Sequence, residues 1–230
     1  MLLTAMGCHA HAQDAVSAPK LTANGPVGSY FMTRYWSGGT LEKAAWYFAP
    51  DGQVYQNLLE GLSPADLAAH RGPKGTFQFA GSTLTIRWAD GKTSASDIER
   101  DQNPNVFMWD LGIFTPIVPV TDKQMLVGSY EGGESVSHDG NRVSNARTLE
   151  VRPDGSATWE SQGFARGDNF AEGLSSSGAI NGTWQWDGGW TMTLTGGGQT
   201  IRGLVFPFTT GDDPSKPDHL YFRGTMFKKR

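Results

Sequence analysis

The tetrapeptide VGSY at residues 27–30 stands again, letter for letter, at residues 127–130 of this 230-residue chain. Two further landmarks return in the same order: PDG at 50–52 and 153–155, and GTFQFAG at 75–81 as GTWQWDG at 182–188. Landmarks that recur in order about 100 residues apart, with only small insertions between them, are typical of a duplicated supersecondary unit. The repeat therefore predicts two similar halves.

Strand periodicity defines the structure expected of each half. In TLTIRW at 83–88, apolar and polar residues alternate, which places Leu84 and Ile86 on one face of a β-strand. The second copy keeps this phase, with Met192 matching Leu84 and Leu194 matching Ile86. Two copies that differ in sequence but share the phase of their apolar residues indicate a common buried face.

Short turns separate these strands. The chain contains 30 glycines, and Asp-Gly pairs stand at 51–52, 90–91, 154–155 and 187–188. Glycine supplies the positive φ that tight hairpins require, and aspartate caps the turn backbone. We therefore expect about six antiparallel strands in each repeat, in meander order and curled into half or the whole of a small barrel.

One segment departs from the strand pattern. Ser63 is a helix N-cap residue, Pro64 suits the first helical position and Asp66 stands three residues after the cap. The sequence predicts a short helix over residues 64–71, either a lid over a barrel mouth or a plug that seals one end of the core. The matching part of the second repeat, 163–181, is rich in glycine and serine and predicts a long surface loop.

The order of these motifs resembles that of lipocalin-like (calycin) repeats in bacterial envelope proteins. Each repeat opens with G-S-Y, continues into P-D-G and G-T-aromatic, and ends in a T-L-T-I-type strand. The resemblance covers residues 26–230 and implies an all-β fold of two tandem lipocalin-like antiparallel meander or barrel units with one short helix. It divides the chain into a leader at 1–22, a first repeat at 23–124 and a second repeat at 125–230. It implies no catalytic residue, and tyrosine stands where true lipocalins have tryptophan in the opening motif.

Composition excludes some classes of partner. The formal net charge of −4, with mixed signs, argues against a nucleic-acid-binding surface. The densest apolar run, 106–120, is interrupted by Asp110, Pro116 and Pro119, so no membrane span is expected. This run either lines a groove between the repeats or is a strand that joins them.

The N-terminal segment suggests export. Ala10-His11-Ala12 fits a signal-peptidase site, although the apolar stretch before it is short, and an ordinary N-terminus is the alternative. Cys8 is the single cysteine, so no disulfide forms within the chain, but a lipid anchor at Cys8 is a second form of export. We expect a periplasmic or secreted bacterial protein.

Catalytic and metal-binding motifs are weak. The chain has no G-x-S-x-G sequence, and the Ser, His and Asp residues within 132–139 are expected to belong to a polar loop. Cys8, His9 and His11 form a compact group with metal-ligand chemistry, but it lies in the segment expected to be removed. We therefore predict no catalytic residue, no metal and no cofactor.

Tryptophan is the remaining candidate for a site. Eight tryptophans are present, and five are candidate ligand-binding residues: Trp184, Trp186, Trp190, Trp88 and Trp109. Indole rings stack on ligands or line apolar cavities, but they equally fill barrel interiors. Trp36, Trp109 and Trp159 lack an aromatic counterpart in the other repeat and are predicted to be exposed.

The sequence is compatible with three functions. The first is a non-enzymatic exported barrel that binds a small apolar or amphipathic ligand in a barrel or between the repeats. The second is an envelope scaffold or protein-interaction module with a filled core, which would expose an apolar patch near 106–120. The third is a hydrolase-like enzyme that brings a carboxylate together with His70 or His219.

Overall fold

The computed structural model describes residues 18–37, 41–138, 141–166, 174–209 and 217–230, and within them the fold is all-β, as predicted. The elements of the first half are β1 (Lys20–Thr22), β2 (Gly25–Tyr35), β3 (Leu41–Phe48), β4 (Gln53–Gln56), α1 (Pro64–Ala69), β5 (Lys74–Ala80), β6 (Thr83–Trp88), β7 (Thr93–Asp97), β8 (Glu99–Arg100), β9 (Phe107–Trp109) and β10 (Gly112–Pro116). Those of the second half are a 3₁₀ turn (Lys123–Leu126), β11 (Gly128–His138), β12 (Asn141–Val151), β13 (Ser156–Arg166), β14 (Leu174–Trp186), β15 (Thr191–Gly196), β16 (Gln199–Phe208), β17 (His219–Phe222) and β18 (Thr225–Lys229).

Each half forms a barrel-like antiparallel sheet. Strands β11 to β18 pair in chain order and β18 returns to β11, which closes barrel 2 (β11–β18). In barrel 1 (β2–β10) the order is β7-β6-β5-β4-β3-β2-β10-β9-β8, and only Ile98 separates its two terminal strands, β7 and β8, in the chain. In barrel 2, β16 pairs with β15 through residues 199–204 and with β17 through residues 205–208. The consecutive strands β7 and β8 of barrel 1 therefore correspond to these two parts of β16.

The prediction that corresponding apolar residues of the two repeats share one buried face is confirmed. Leu84 lies on β6 and Met192 lies on β15, which occupy the same place in the two barrels. Leu84, Ile86, Met192 and Leu194 are all fully buried. The alternation in sequence thus placed these side chains on the inner face of both barrels, as expected for a pleated strand with one buried face.

The Asp-Gly turns are also confirmed. The glycines at the four turns have positive φ: 86° at Gly52 and 87° at Gly91, Gly155 and Gly188. In each turn the aspartate carboxylate accepts a hydrogen bond from the N–H two residues further on, at 2.8–3.1 Å. These aspartates therefore accept hydrogen bonds from backbone N–H groups of their own turns, as the sequence predicts.

The helix forms where the capping residues predict it. The Ser63 side chain accepts from the Asp66 N–H, and the Asp66 carboxylate accepts from the Ser63 N–H, which completes a capping box. Leu62 is buried, and Leu67 packs against the same cluster of apolar residues between the two barrels. Helix α1 therefore packs over the seam between the barrels.

Three apolar clusters form the core. The interior of barrel 1 is filled largely by aromatic side chains, including Tyr30, Trp46 and Phe114. A second cluster fills the inner part of barrel 2 and continues into Leu126 of the 3₁₀ turn. The third lies between the barrels and is built from their outer faces: Phe31, Ala45, Tyr47, Ala49, Leu58, Leu62, Ile117, Leu204, Phe206 and Tyr221.

Three expectations about loops and strand number were wrong. Barrel 1 has nine strands and barrel 2 has eight instead of six in each, and in barrel 1 the run 106–120 contributes the hairpin β9–β10, which pairs with β2. Residues 132–138 belong to β11, and most of 163–181 belongs to β13 and β14. Extended hairpins satisfy their backbone groups by cross-strand pairing, so they form there without an apolar alternation.

Candidate functional site

The two barrels differ in one layer of side chains, two residues beyond the repeated tyrosines Tyr30 and Tyr130. In barrel 1 the register places Met32 opposite both Ala44 and Phe114. These three side chains are buried, at 0%, 1% and 1% exposure, and belong to the interior cluster. This layer of barrel 1 is therefore filled.

The same layer of barrel 2 holds small residues and one charge. Gly132 stands opposite both Arg147 and Phe227, Arg147 stands opposite Ser161, and Ser161 stands opposite Gly178. A Cβ at Gly132 would meet the Met226 carbonyl oxygen at 2.6 Å and Phe227 Cδ1 at 3.0 Å, so β18 approaches too closely there for a side chain, whereas a Cβ at Gly178 would meet only Trp159 Cζ3 at 4.0 Å. This layer of barrel 2 thus has no interior side chain at Gly132 or Gly178, and its free space lies on the Gly178 side and not at Gly132.

A cavity of about 310 Å³ borders this layer at Arg147 and Phe227. We call it the mouth cavity, and it is lined by Leu59, Arg147, Trp159, Ile201, Phe222, Arg223, Thr225 and Phe227. Phe222 and Phe227 are buried and join it to the interior cluster of barrel 2, against which Trp159 and Ile201 also pack. Its walls are thus mainly aromatic and aliphatic, with a guanidinium among them.

The guanidinium of Arg147 has few partners. Its Nη1 donates a hydrogen bond to Thr225 Oγ1, and Thr225 is itself buried. Its Nε is shielded from solvent and has no hydrogen-bond partner within the described part of the chain. An unpaired N–H removed from water costs free energy, so this donor is available to a ligand that brings an acceptor.

The opposite end of barrel 2 is closed. The 3₁₀ turn places Leu126 in the interior cluster, and the Tyr130 hydroxyl donates to the Leu126 carbonyl oxygen at 3.1 Å. Burial raises the pKa of Tyr130 to about 12. The interior of barrel 2 is therefore sealed below the mouth cavity.

The first half of the chain covers part of the mouth. Leu59 belongs to the strap (residues 57–61), which leads from β4 towards α1. The Leu59 carbonyl oxygen accepts from the Leu204 N–H at 2.8 Å, and the Glu60 carbonyl oxygen accepts from Arg202 Nη1 at 3.1 Å. The Arg223 guanidinium lies 3.1 Å from the Glu60 carboxylate. Barrel 1 thus supplies one wall of the mouth cavity, and hydrogen bonds and an ion pair from barrel 2 hold that wall in place.

The sequence-predicted tryptophans lie elsewhere. Trp184 and Trp186 pack in the interior of barrel 2, Trp88 and Trp109 in barrel 1, and Trp190 against the cluster between the barrels. Four of them donate their indole N–H to a nearby oxygen: Trp184 to Arg152, Trp186 to Gly189, Trp88 to Ser94 and Trp109 to Leu84. None of the five lines the mouth cavity.

The expected exposure of three tryptophans had mixed outcomes. Trp36 is 47% exposed, as predicted, whereas Trp109 is buried at 3% because β9 turns it into barrel 1. Trp159 is partly buried and lines the mouth cavity. Sequence reasoning thus missed Arg147 and Gly132, and set Trp159 aside as a surface residue. Comparing the repeats position by position beyond VGSY would have shown glycine in place of Met32 and arginine in place of Ala44.

Other hollows lie outside the barrel interiors. A shallow depression of about 500 Å³ beside Trp88 is bordered by Arg71, Lys74 and Lys92, all exposed. Between the barrels, stacked rings such as Phe206 and Tyr221, whose centroids are 4.6 Å apart, fill most of the seam. The mouth cavity differs from both because two fully buried side chains of a barrel interior, Phe222 and Phe227, line it.

The candidate catalytic and metal groups are not gathered into the mouth cavity. His70 Nε2 lies 3.4 Å from the Pro73 carbonyl oxygen, and His219 Nδ1 lies 3.0 Å from the carboxylate of its neighbour Asp218. Burial lowers the pKa of His70. Among the described residues no group of three or more His, Cys, Asp or Glu side chains has metal-binding proximity. The group at residues 8–11 and the N-terminal export signal lie outside the described residues.

Comparison with known proteins gives no relative from which a function could be transferred. The chain matches no family model, no curated protein and no solved structure. In the part of the chain that the structure describes, no helix has both the length and the apolar character of a membrane span.

Proposed function

We propose that this protein binds a small amphipathic molecule in the mouth cavity of barrel 2, without catalysing a reaction. The observation that carries the proposal is the contrast between two equivalent layers, one filled by Met32 and one left open around Arg147. A volume of about 310 Å³ lies at the lower end of the range of small-molecule sites, roughly 300–1,000 Å³. Mainly apolar walls with a few polar groups are the usual lining of such sites.

The two barrels have different roles in this proposal. Barrel 1 is a filled structural unit, and its strap supplies Leu59 to the wall of the cavity. Barrel 2 holds the ligand between Trp159, Phe222 and Phe227, with the head group towards Arg147. This arrangement supports the lipocalin-like character inferred from the motifs. We extend the proposal to export, with the protein acting in the periplasm or outside the cell.

A cavity-filling substitution tests the proposal. Gly178→Leu places a side chain towards Trp159 without a backbone clash, because a Cβ there meets no atom closer than 4.0 Å. We expect this variant to lose calorimetrically detected binding of octan-1-ol or octanoate. Ala179→Leu, on the exposed face of the same strand, is the matched control and should bind as the wild type does. Failure of the wild type to bind either probe would refute the proposal.

A second candidate, a protein-interaction module, is favoured by an exposed apolar surface on barrel 1. Tyr35 and Leu111, both 73% exposed, adjoin the paired residues Arg34 and Gly112, and the paired Met108 and Ile113 are 41% and 43% exposed. Leu111 has a φ of 63°, a strained conformation for leucine. A photo-crosslinking residue at 111 should then capture a defined envelope protein, whereas one at the exposed turn of Gly81 should not.

A further inference from the structure

The charge in the mouth cavity distinguishes it from the rest of the molecule. Four arginines among the described side chains are partly buried, and three of them pair with carboxylates: Arg34 with Glu42 and Asp110, Arg152 with Glu150, and Arg202 with Asp66. Arg147 is the fourth, and no described carboxylate lies within ion-pair distance of it. An Arg147 Nε–H that is shielded from water without an acceptor is costly, and the cost is offset when a ligand supplies an acceptor, most strongly an anionic one.

We propose that the ligand of the mouth cavity is a monocarboxylate and that Arg147 and Thr225 bind its carboxylate. This inference rests on the proposed function of barrel 2. The free Nε–H of Arg147 lies on the planar edge of a guanidinium, and such edges form paired hydrogen bonds with carboxylates. The Thr225 hydroxyl accepts from Arg147 Nη1, which leaves its own proton to donate to a carboxylate oxygen.

The charge count favours a monoanion over a phosphate dianion. Arg223 also lines the cavity, but its guanidinium is paired with Glu60 at 3.1 Å on the strap. Arg147 is therefore the one unneutralised cation among the described lining residues. A single positive charge balances one carboxylate, whereas a phosphomonoester would leave a negative charge against Phe222 and Phe227.

The volume sets the size of the ligand. At about 30 Å³ for each water-sized group, a cavity of about 310 Å³ holds about ten non-hydrogen atoms. Octanoate, with a carboxylate and seven further carbons, has this size, and its tail suits walls formed by Trp159, Ile201 and Phe227. Aryl carboxylates of similar size belong to the same class.

Octanoate and octan-1-ol separate the head group from the tail. We expect isothermal titration calorimetry at pH 7 to show that the full chain binds octanoate about ten- to a hundredfold more tightly than octan-1-ol, as charge-assisted hydrogen bonds predict. Arg147→Met keeps most of the side-chain length and should bind both probes with the affinity of the alcohol. Arg147→Lys keeps the charge but not the planar edge and should retain part of the preference for the acid.

The outcomes distinguish this inference from the proposed function. Equal affinity of the wild type for acid and alcohol, with both lost in Gly178→Leu, would overturn the head-group inference and leave the proposed function standing. A preference for octanoate that survives in Arg147→Met would also overturn the inference. Circular dichroism and urea unfolding should show that Arg147→Met is folded, with only the loss of stability expected from removing its hydrogen bond to the buried Thr225 hydroxyl.

Discussion

The ion pair between Asp66 of α1 and Arg202 of β16 joins the two halves of the chain, and its removal should lower the stability of the whole protein. Arg202 Nη1 donates to Asp66 Oδ1 at 2.6 Å, and Nη2 donates to Oδ2 at 3.2 Å. Asp66→Asn keeps the size of the side chain and an oxygen that can accept from Ser63, but it removes the charge. The substitution therefore isolates the contact between the barrels from the helix cap.

The magnitude follows from the burial of the two partners. Hydrogen bonds to charged groups contribute about 1.5–3 kcal/mol, whereas exposed ion pairs contribute about 0–1 kcal/mol. Asp66 is 11% exposed and Arg202 is 41% exposed, which places this pair between the two cases. We expect Asp66→Asn to lower the free energy of unfolding by about 1–2 kcal/mol. Asp66→Ala also removes the capping box and should cost about 1 kcal/mol more.

Urea unfolding followed by tryptophan fluorescence measures this difference, and its pH dependence gives a second test. Burial alone would raise the pKa of Asp66, but hydrogen bonds from Arg202 and Ser63 lower it below its usual value on balance. The stabilisation is therefore present above the unfolded-state pKa, about 4, and is lost as the pH falls through the lower folded-state value. The stability difference between wild type and Asp66→Asn should disappear in that acid range.

A control variant and a double-mutant cycle test whether the Asp66–Arg202 pair stabilises the fold. Glu131→Gln breaks an exposed pair with Arg230, in which both side chains are 56% exposed, and should change stability by less than about 1 kcal/mol. A double-mutant cycle that combines Asp66→Asn with Arg202→Gln measures the coupling directly. A coupling energy near zero, or equal effects of Asp66→Asn and Glu131→Gln, would show that the contact between the barrels does not stabilise the fold.

Two further predictions concern the barrel interiors. Leu84→Ala and Leu194→Ala should each lower the free energy of unfolding by about 3 kcal/mol, because both leucines are fully buried; a cost below about 1 kcal/mol in urea unfolding would contradict equivalent cores. Burial raises the pKa of Tyr130 to about 12, so the folded protein should lose stability as the pH rises from about 10 towards 12. Absorbance titration should show Tyr130 ionising only with unfolding, a step missing in Tyr130→Phe, and ionisation near pH 10 in the folded state would show that the ring is accessible.

The fold could be predicted from sequence because its determinants are local and occur twice. The alternation of apolar and polar residues around Leu84 and Leu194 defines the buried face. Each Asp-Gly turn depends only on the conformation of its own few residues. The hairpin β9–β10 was missed because Asp110 and Leu111 form its turn with positive φ, of 48° and 63°, without a glycine at either position. A turn made by unusual residues leaves no compositional signal.

The candidate site could not be predicted in the same way. Arg147 lies on a strand whose composition does not show which of its polar residues face inwards. Its partners Thr225 and Phe227 lie at the far end of the repeat, and Leu59 comes from the other half of the chain. Cross-strand register and the packing of the two halves bring these residues together, and neither can be read from spacing along the chain.

The strap has a consequence for any attempt to shorten this protein. Expressed alone, the second half would lack Leu59 on one side of the mouth cavity, and Leu204, Phe206 and Tyr221 would face water. The first half alone would offer no vacant interior at the corresponding layer. A shortened version that keeps the mouth cavity would therefore have to retain both halves of the chain, since residues of both line it although only barrel 2 encloses it.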